Sequence, residues 1–188
     1  MTRIVQVPNP VLITHTKKVT VIDKKVLDII DRMKKTLSIT DNPKGVGLAA
    51  TQIGISLSIF ITRPRENSVI RAFINPQIIW KSDELSELVR DEGEGNSIRK
   101  EKKLEGCLSI NNIWGHLLRA SHVKLRYLDP TGQTKEEKFS GFMATIIQHE
   151  VDHLNGILFT QRVMEQKEKL YEIHTNDKGE EKLVEIEI

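Results

Sequence analysis

Hydrophobic residues recur at helical spacing in two stretches of the chain. In the first, residues 23–39, the apolar positions that share one face are Val26, Ile30, Met33 and Leu37. The other positions are mostly charged or polar, as on a helix that covers a core with one side only. The pattern therefore predicts an amphipathic helix over residues 23–39.

The second helical stretch combines apolar residues with two histidines. The residues that share its face are Phe142, Thr145, Ile146, His149 and His153. Ser140 is a suitable N-cap residue, and Gly156 is a suitable residue just past the C-terminus. The stretch predicts a helix between Ser140 and Gly156 whose histidines point into the same interior as its apolar residues.

Shorter runs of β type lie between and after these helices. Strands are predicted at residues 57–61, at 69–74 with an end at Asn75-Pro76, and at 122–128, where the alternation is regular. A turn at residues 129–132 leads into a polar strand that ends at Phe139. The C-terminal tail, residues 160–188, predicts a short helix at 165–173, a turn at 176–179 and a strand at 182–188. Segregated strands with few helices predict an α+β fold, with small mixed or antiparallel sheets packed around the central histidine-bearing helix.

Length and composition narrow the class of protein. With 188 residues the chain can bury a substantial core, and we expect a single domain over residues 1–188. The net charge of +2 comes from interspersed acids and bases, so we expect no direct nucleic-acid binding. No apolar run is long enough for a membrane, and the first residues lack the apolar core of a signal peptide. A single cysteine excludes an internal disulfide, and we expect a cytoplasmic protein.

One stretch differs from the rest in its charge. Of the 23 residues from Ser82 to Leu104, twelve are charged, and small or polar residues lie near the middle. This composition predicts a solvated, mobile charged loop or a hairpin excursion inserted at residues 82–104. The alternative is a flap that shapes access to a site, because the stretch leads directly to Cys107.

The sequence HEVDH at residues 149–153 is a candidate metal site on the second helix. Histidines four residues apart lie one turn above each other, so the imidazoles of His149 and His153 can reach one ion. Glu150 projects to the side, where a glutamate can hold the attacking water. The alternative is a pair of surface histidines beside a solvated carboxylate. The apolar stripe favours the metal site, because surface histidines rarely share a face with aromatic and branched aliphatic residues.

The single cysteine, Cys107, lies in the sequence EGCLS at residues 105–109. A lone cysteine in a soluble domain is most often an inert core residue. Together with two histidines, however, one thiolate completes a three-ligand set whose fourth position is left to water, as in catalytic zinc sites. Gly106 lets the backbone approach closely, and an amide just after the ligand is suited to bind a developing oxyanion.

An apolar wall beside the candidate metal site predicts the kind of side chain that is bound. Phe142, Thr145 and Ile146 precede His149 by one and two turns on the same face, and Val46 extends this wall. Such a pocket suits an unbranched thioether chain. Core packing of the same stripe is the other interpretation. The two are compatible, since a pocket of this kind is continuous with the core.

Three separated segments of the chain resemble the signature motifs of the peptide deformylases. They are residues 45–52 (GVGLAATQ), 105–109 (EGCLS) and 148–153 (QHEVDH). Their order and separation also match, and the similarity extends from Pro8 to about Phe159. Each motif alone is weak, whereas the ordered trio is specific. The resemblance implies one peptide-deformylase-like catalytic domain followed by the tail at residues 160–188.

The resemblance also implies roles for individual residues. The implied metal ligands are Cys107, His149 and His153. Glu150 would be the general base and acid, and the oxyanion would be stabilised by the side-chain amide of Gln52 and the backbone N–H of Leu108. The residues that would flank an extended peptide are Val46, Gly47 and Gly106. Arg119 falls where family members carry an arginine and would support the site.

The implied reaction is hydrolysis of the N-formyl group from the N-terminal methionine of newly synthesised proteins, with release of formate. N-Formylmethionyl peptides of nascent chains are then the expected partners, and a transient ribosome contact is expected of the function. The ligand set by itself fits zinc in geometry and softness. The resemblance points instead to one Fe²⁺ ion in the cell, with Zn²⁺, Ni²⁺ or Co²⁺ in preparations.

Two other functions are compatible with the same residues. A related amidase would keep the hydrolytic residues but act on another N-acyl substrate. A catalytically silent module would keep the fold and a structural metal ion. The sequence disfavours the silent module, because such a protein would need neither Glu150 nor Gln52 and the chain has both.

Overall fold

The computed structural model describes residues 2–41, 44–89, 102–175 and 181–186. Three α-helices lie within these ranges: α1 (Lys24–Ile39), α2 (Gly141–Leu154) and α3 (Phe159–Glu165). Short 3₁₀ helices lie at Pro10–Ile13 and Ala50–Ile53. The strands within the same ranges are β1 (Gly47–Ala49), β2 (Ile59–Thr62), β3 (Arg71–Lys81), β4 (Leu85–Ser86), β5 (Leu88–Val89), β6 (Lys102–Lys103), β7 (Glu105–Cys107), β8 (Ile110–Gly115), β9 (Arg119–Ala120), β10 (His122–Leu128), β11 (Thr134–Ser140), β12 (Leu170–Thr175) and β13 (Glu181–Glu185).

The two long predicted helices are confirmed. Helix α1 begins after Asp23, whose side chain accepts a hydrogen bond from the N–H of Val26 (3.0 Å) and so caps the helix. Helix α2 begins after Ser140, as predicted, although the serine hydroxyl makes no capping bond. Gly156 follows the end of α2 with a φ of +72°, a conformation that glycine adopts without strain.

The larger sheet separates the two long helices. Its strands are antiparallel and run in the order β1, β2, β3, β10, β11. Alternate residues of β2 point to opposite faces: Ile59 and Ile61 pack with α1, and Phe60 packs with α2. The sheet therefore has a core on each face, and the predicted hairpin between β10 and β11 forms its outer part.

Strand β3 corrects the prediction that a strand ends at Asn75-Pro76. The strand continues through both residues to Lys81. Asn75 adopts a φ of +50°, and its side chain accepts from the N–H of Val19 (2.8 Å) and donates to the Val19 carbonyl (2.8 Å). A distant segment thus stabilises a backbone kink that local sequence would use to end a strand.

The smaller sheet corrects the prediction for the tail. The predicted helix at residues 165–173 is wrong, because α3 ends at Glu165 and residues from Leu170 onwards form β12. Strand β12 lies between β8 and β13 in an antiparallel sheet of the order β13, β12, β8, β7. The predicted turn at residues 176–179 lies outside the described residues. Strand β13 overlaps the predicted strand at 182–188.

Within the charged stretch at 82–104, the structure describes three short strands, β4, β5 and β6. Strand β4 pairs with β9, and β5 pairs with β6. Residues 90–101 lie outside the described ranges. Strand β4 therefore pairs with a strand outside the stretch, while β5 and β6, on either side of residues 90–101, pair with each other.

The described part of the chain confirms a mixed α+β fold with antiparallel sheets and few helices. Helix α2, which includes residues 149–153, packs on the larger sheet through Ala144, Ile147 and Leu154. A separate cluster joins the smaller sheet to α3 and contains Cys107 and Phe159. No helix among the described residues combines the length and apolar character needed to cross a lipid bilayer.

Candidate functional site

Helix α2 brings the two predicted histidines together. The ring centroids of His149 and His153 are 4.9 Å apart, and His153 is 1% exposed. The end of this helix is fixed by Gly156, where a Cβ atom would lie 2.6 Å from the carbonyl carbon of Ile13. Because of their i, i+4 spacing and buried location, the two imidazoles can bind one ion on the same side of the helix.

Strand β7 places Cys107 next to the two histidines. A two-residue turn, Leu108-Ser109, joins β7 to β8 and leaves Cys107 at the end of its strand. The Cys107 Sγ atom lies 3.1 Å from Nε2 of His153 and accepts a hydrogen bond from the N–H of Ser109 (3.4 Å). The candidate ligand atoms of Cys107, His149 and His153 all lie within 4.8 Å of one another.

The charges of this cluster favour the thiolate. Burial raises the pKa of Cys107, but the imidazoles of His153 and His149 outweigh this effect and lower the pKa to about 5. Burial also disfavours the charged form of His149 and so lowers its pKa, but Cys107 and Glu105 outweigh this effect and raise the pKa well above its ordinary value. The cysteine is therefore ionised at neutral pH, which is the form that binds metal ions.

The donor set fits one divalent transition-metal ion. Thiolate sulfur and imidazole nitrogen are the ligands that zinc and ferrous iron accept. Ligand atoms bound to one ion lie roughly 3–4 Å apart, close to the separations observed here. Nδ1 of His149 is engaged by Glu105 Oε1 (2.6 Å), so Nε2 is its free ligand atom. Three protein ligands leave one position of a tetrahedral ion to water or substrate.

A buried chain of ion pairs holds His149 in place. Arg119 donates two hydrogen bonds to Glu105 (2.7 and 2.8 Å) and one to Asp152 (2.9 Å). Asp152 in turn accepts a hydrogen bond from Arg162 of α3 (2.9 Å). Burial raises the pKa of Glu105, but Arg119 outweighs it and lowers the pKa to about 2. Glu105 is therefore an ionised acceptor that fixes the ring orientation of His149.

Glu150 lies beside the candidate metal ligands, and the pKa of its carboxyl group is raised. The residue is 3% exposed, and its Oε2 atom has no hydrogen-bond partner among the described residues. Burial raises its pKa to about 7, although His149 and His153 act in the opposite direction. Its other oxygen lies against Gly47 of β1, where a Cβ atom would be only 2.1 Å from Oε1. Gly47 thus provides the space that the carboxylate occupies.

Gln52 and Leu108 both lie next to the thiolate. The Gln52 side chain accepts from the N–H of Ala49 (2.8 Å) and donates from Nε2 to Ser109 Oγ (3.3 Å) and to Cys107 Sγ (3.6 Å). The carbonyl of Leu108 accepts a hydrogen bond from Nε2 of Gln6 (2.9 Å), which anchors this residue. Both residues are therefore held next to the candidate metal site.

One open cavity joins these groups. It measures about 600 Å³ including its mouth, within the usual range for small-ligand pockets. Apart from His153, every residue predicted for the site lines it: Val46, Gly47, Gln52, Gly106, Cys107, Leu108, Phe142, Thr145, Ile146, His149 and Glu150. Trp114 also lines the cavity and packs against Gly106, where a Cβ atom would lie 2.7 Å from the indole ring.

Sequence reasoning did not assign a role to Glu105 or Asp152. Glu105 lies two residues before Cys107 in one strand, so both side chains point to the same face. Asp152 lies three residues after His149 on α2. These spacings are compatible with residues that support the metal ligands. Glu105 and Asp152 can be recognised as such only from their hydrogen bonds to Arg119, which the fold places next to them.

Comparisons with known proteins are consistent with this arrangement. The model of the family described as Polypeptide deformylase matches residues 1–169. A peptide deformylase of Halothermothrix orenii is 38% identical over 165 residues, which cover 88% of this chain and 95% of that protein. The crystal structure of the peptide deformylase from Thermotoga maritima is similar with a TM-score of 0.73 and 34% identity, over 87% of this chain and 97% of that one. The actinonin-bound class I type b enzyme from Acinetobacter baumannii gives a TM-score of 0.72 and 31% identity, over 87% and 98% of the two chains.

Proposed function

The chain belongs to the peptide deformylase family, a family of metal-dependent hydrolases, and we propose that its cavity removes the N-formyl group from the N-terminal methionine of nascent proteins. The observation that carries this proposal is the convergence of Cys107, His149 and His153 beside Glu150 in one cavity. A site that only stored a metal ion would not need a buried carboxyl group with a pKa of about 7.

Cys107, His149 and His153 are the residues that would hold the metal ion. When bound, a divalent ion supplies Lewis acidity, which lowers the pKa of coordinated water from about 15.7 towards 7 and polarises a carbonyl group. The chain holds the ligands ready for this task. Glu105 fixes His149 through Nδ1, and Arg119 fixes Glu105.

Glu150 would move the proton that hydrolysis requires. Its carboxylate accepts a proton from the attacking water and then donates it to the nitrogen that leaves the formyl carbon. Both steps need the same group to give and take a proton near neutral pH, and a pKa of about 7 suits this exchange. The position of Oε1 against Gly47 keeps the carboxylate in the cavity during both steps.

Gln52 and Leu108 would stabilise the charge that develops on the formyl oxygen. The Gln52 amide is oriented by its bond to the N–H of Ala49, so its Nε2 group is directed towards Cys107. The backbone N–H of Leu108 would be a second donor next to the same sulfur. Loss of one such donor typically costs about 3 kcal/mol of transition-state stabilisation.

The substrate would lie extended across the mouth of the site. Strand β1, with Gly47, is one edge of the larger sheet, and β7, with Gly106, is one edge of the smaller sheet. Both edges border the cavity, so an extended peptide can bond to the backbone on either side. The residues that would contact the methionine side chain are Val46, Phe142, Thr145 and Ile146.

We also propose which metal ion the site binds, which substrates it acts on and where in the cell it does so. The ion in the cell is Fe²⁺, because the resemblance favours iron, and Zn²⁺, Ni²⁺ or Co²⁺ would occupy the site in preparations. The substrates are N-formylmethionyl nascent chains in the cytoplasm, met through transient contact with the ribosome. Residues 1–188 act as one catalytic domain.

The proposal is tested with formyl-Met-Ala-Ser and protein purified without oxygen and loaded with Fe²⁺ or Ni²⁺. We expect wild-type protein to release formate, and Glu150→Ala to bind the same amount of metal but to lose at least about 10²-fold in rate. Actinonin, which the Acinetobacter relative binds, should inhibit the wild type. A Glu150→Ala variant that is as active as wild type at equal metal content would refute the role of Glu150.

A further inference from the structure

Leu88 is a buried residue that the reaction described above does not use. Its exposed fraction is 5%, yet among the described residues it belongs to none of the three clusters that form the hydrophobic cores. It lines the catalytic cavity instead. A large aliphatic side chain that is buried beside a cavity, and not within a core, leaves apolar surface available to a bound molecule.

The segment that carries Leu88 is fixed at both ends to the groups that support the metal site. Strand β4 pairs with β9, where Ser86 lies opposite Arg119. Strand β5 pairs with β6, where Leu88 lies opposite Lys103, two residues before Glu105. Arg119 and Glu105 are joined by two buried hydrogen bonds. Leu88 is therefore tied by strand pairing to the segments that carry Arg119 and Glu105, the ion pair that orients His149.

Helix α2, against which β5 packs, also lines the cavity. Phe142, Thr145 and Ile146 line the cavity from this helix, and Trp114 lines it from β8. Leu88 therefore closes an apolar chamber next to the candidate catalytic groups. The size of the side chain at position 88 sets how much of that chamber is free.

We infer that Leu88 is a specificity-determining wall of the pocket that receives the N-terminal side chain of the substrate. The inference rests on the proposed function, since it names the residue that limits this pocket. Leu88 favours long unbranched side chains, such as methionine and norleucine, and excludes a bulky ring such as phenylalanine. The charged stretch at 82–104 thus contributes an apolar residue to substrate selection.

The test compares kcat/KM for formyl-Met-Ala-Ser, formyl-norleucyl-Ala-Ser and formyl-Phe-Ala-Ser. In Leu88→Ala the ratio of phenylalanine to methionine substrate should rise roughly tenfold or more, because the pocket gains space. In Leu88→Phe the methionine and norleucine substrates should lose roughly tenfold or more, while formyl-Ala-Ala-Ser changes little. The matched control is Leu85→Ala in β4, whose side chain is 55% exposed and which should keep the wild-type ratios.

A second readout does not depend on turnover. Calorimetric binding of the product peptides Met-Ala-Ser and Phe-Ala-Ser should shift in the same direction as kcat/KM in each variant. An equal fall for all substrates, or unchanged ratios in both variants, would overturn the inference. Failure of the proposed function would look different, because metal-loaded wild type would then release no formate from any of these peptides.

Discussion

The substitution Gly47→Ala tests how the fold positions the proposed general base. The added methyl group would lie 2.1 Å from Oε1 and 2.8 Å from Cδ of Glu150, and 3.0 Å from Cγ2 of Ile146. Ordinary contact needs at least 3.4 Å, so the carboxylate must move by more than about 1 Å. Gly47 lies in β1, and none of the three atoms nearest to the added methyl group belongs to a candidate metal ligand. The change should therefore displace Glu150 and leave the metal bound.

A displacement of about 1 Å at a catalytic group typically costs about 10²-fold in rate. We therefore expect kcat for formate release from formyl-Met-Ala-Ser to fall by about 10²-fold in Gly47→Ala, within the range of a lost general base. Metal content, measured by elemental analysis, should stay at the wild-type level. The fall should appear in kcat more than in KM, because the displaced group acts on the proton and not on binding.

The matched control is Gly45→Ala in the same segment. There the added methyl group would meet Cδ1 of Leu37 at 2.6 Å and Cδ1 of Leu108 at 3.2 Å, and both are ends of flexible side chains. We expect Gly45→Ala to keep most of the activity. Full activity in Gly47→Ala, or an equal loss in both variants, would refute the idea that Gly47 provides the space for the Glu150 carboxylate.

Three further predictions concern the support of the site and of the fold. Glu105→Gln should weaken metal binding by about 10- to 100-fold in a chelator competition, because His149 loses a charged acceptor; unchanged affinity would contradict this role. In metal-free protein, the ultraviolet absorbance of the Cys107 thiolate should disappear as the pH falls through about 5, and Cys107→Ser should lack the transition. Because this pKa is lowered on folding, ionisation of Cys107 stabilises the metal-free fold fully above the ordinary thiol pKa, and this stability is lost as the pH falls to about 5. A titration midpoint near the ordinary thiol value would show that the imidazoles do not act on the sulfur. Asn75→Ala should lower the free energy of unfolding by about 2 kcal/mol in denaturant titrations, since two hydrogen bonds to Val19 are lost, whereas Gln77→Ala on the exposed face of β3 should change it little.

Local pattern predicted the two long helices better than strand β3 and the C-terminal tail, for physical reasons that individual residues show. Val26, Ile30 and Met33 define the buried face of α1 without reference to any other segment. Asn75, in contrast, stays within β3 only because Val19, which is distant in sequence, bonds to its side chain. Leu170 begins a strand because β8 provides its partner, and nothing in the local sequence indicates that pairing.

The same division applies to the site. The histidines of α2 are recognisable from their spacing alone, and Cys107 becomes recognisable as a third ligand once the histidines are considered. The contribution of Glu105 depends on Arg119, and that of Leu88 on the pairing of β5 with β6. Residues that act through a partner from another segment cannot be assigned from spacing, because the fold alone determines which partner is near.

Deformylation by this chain requires a fixed stoichiometry between the two products of hydrolysis. Protein that carries one Fe²⁺ or Ni²⁺ ion per chain, prepared without oxygen, is incubated with formyl-Met-Ala-Ser and, separately, with acetyl-Met-Ala-Ser. We expect one formate for every free amine produced from the formyl peptide, with far slower release of acetate from the acetyl peptide. No formate from protein with full metal content would contradict the account, and faster acetate release would identify an amidase for another acyl group.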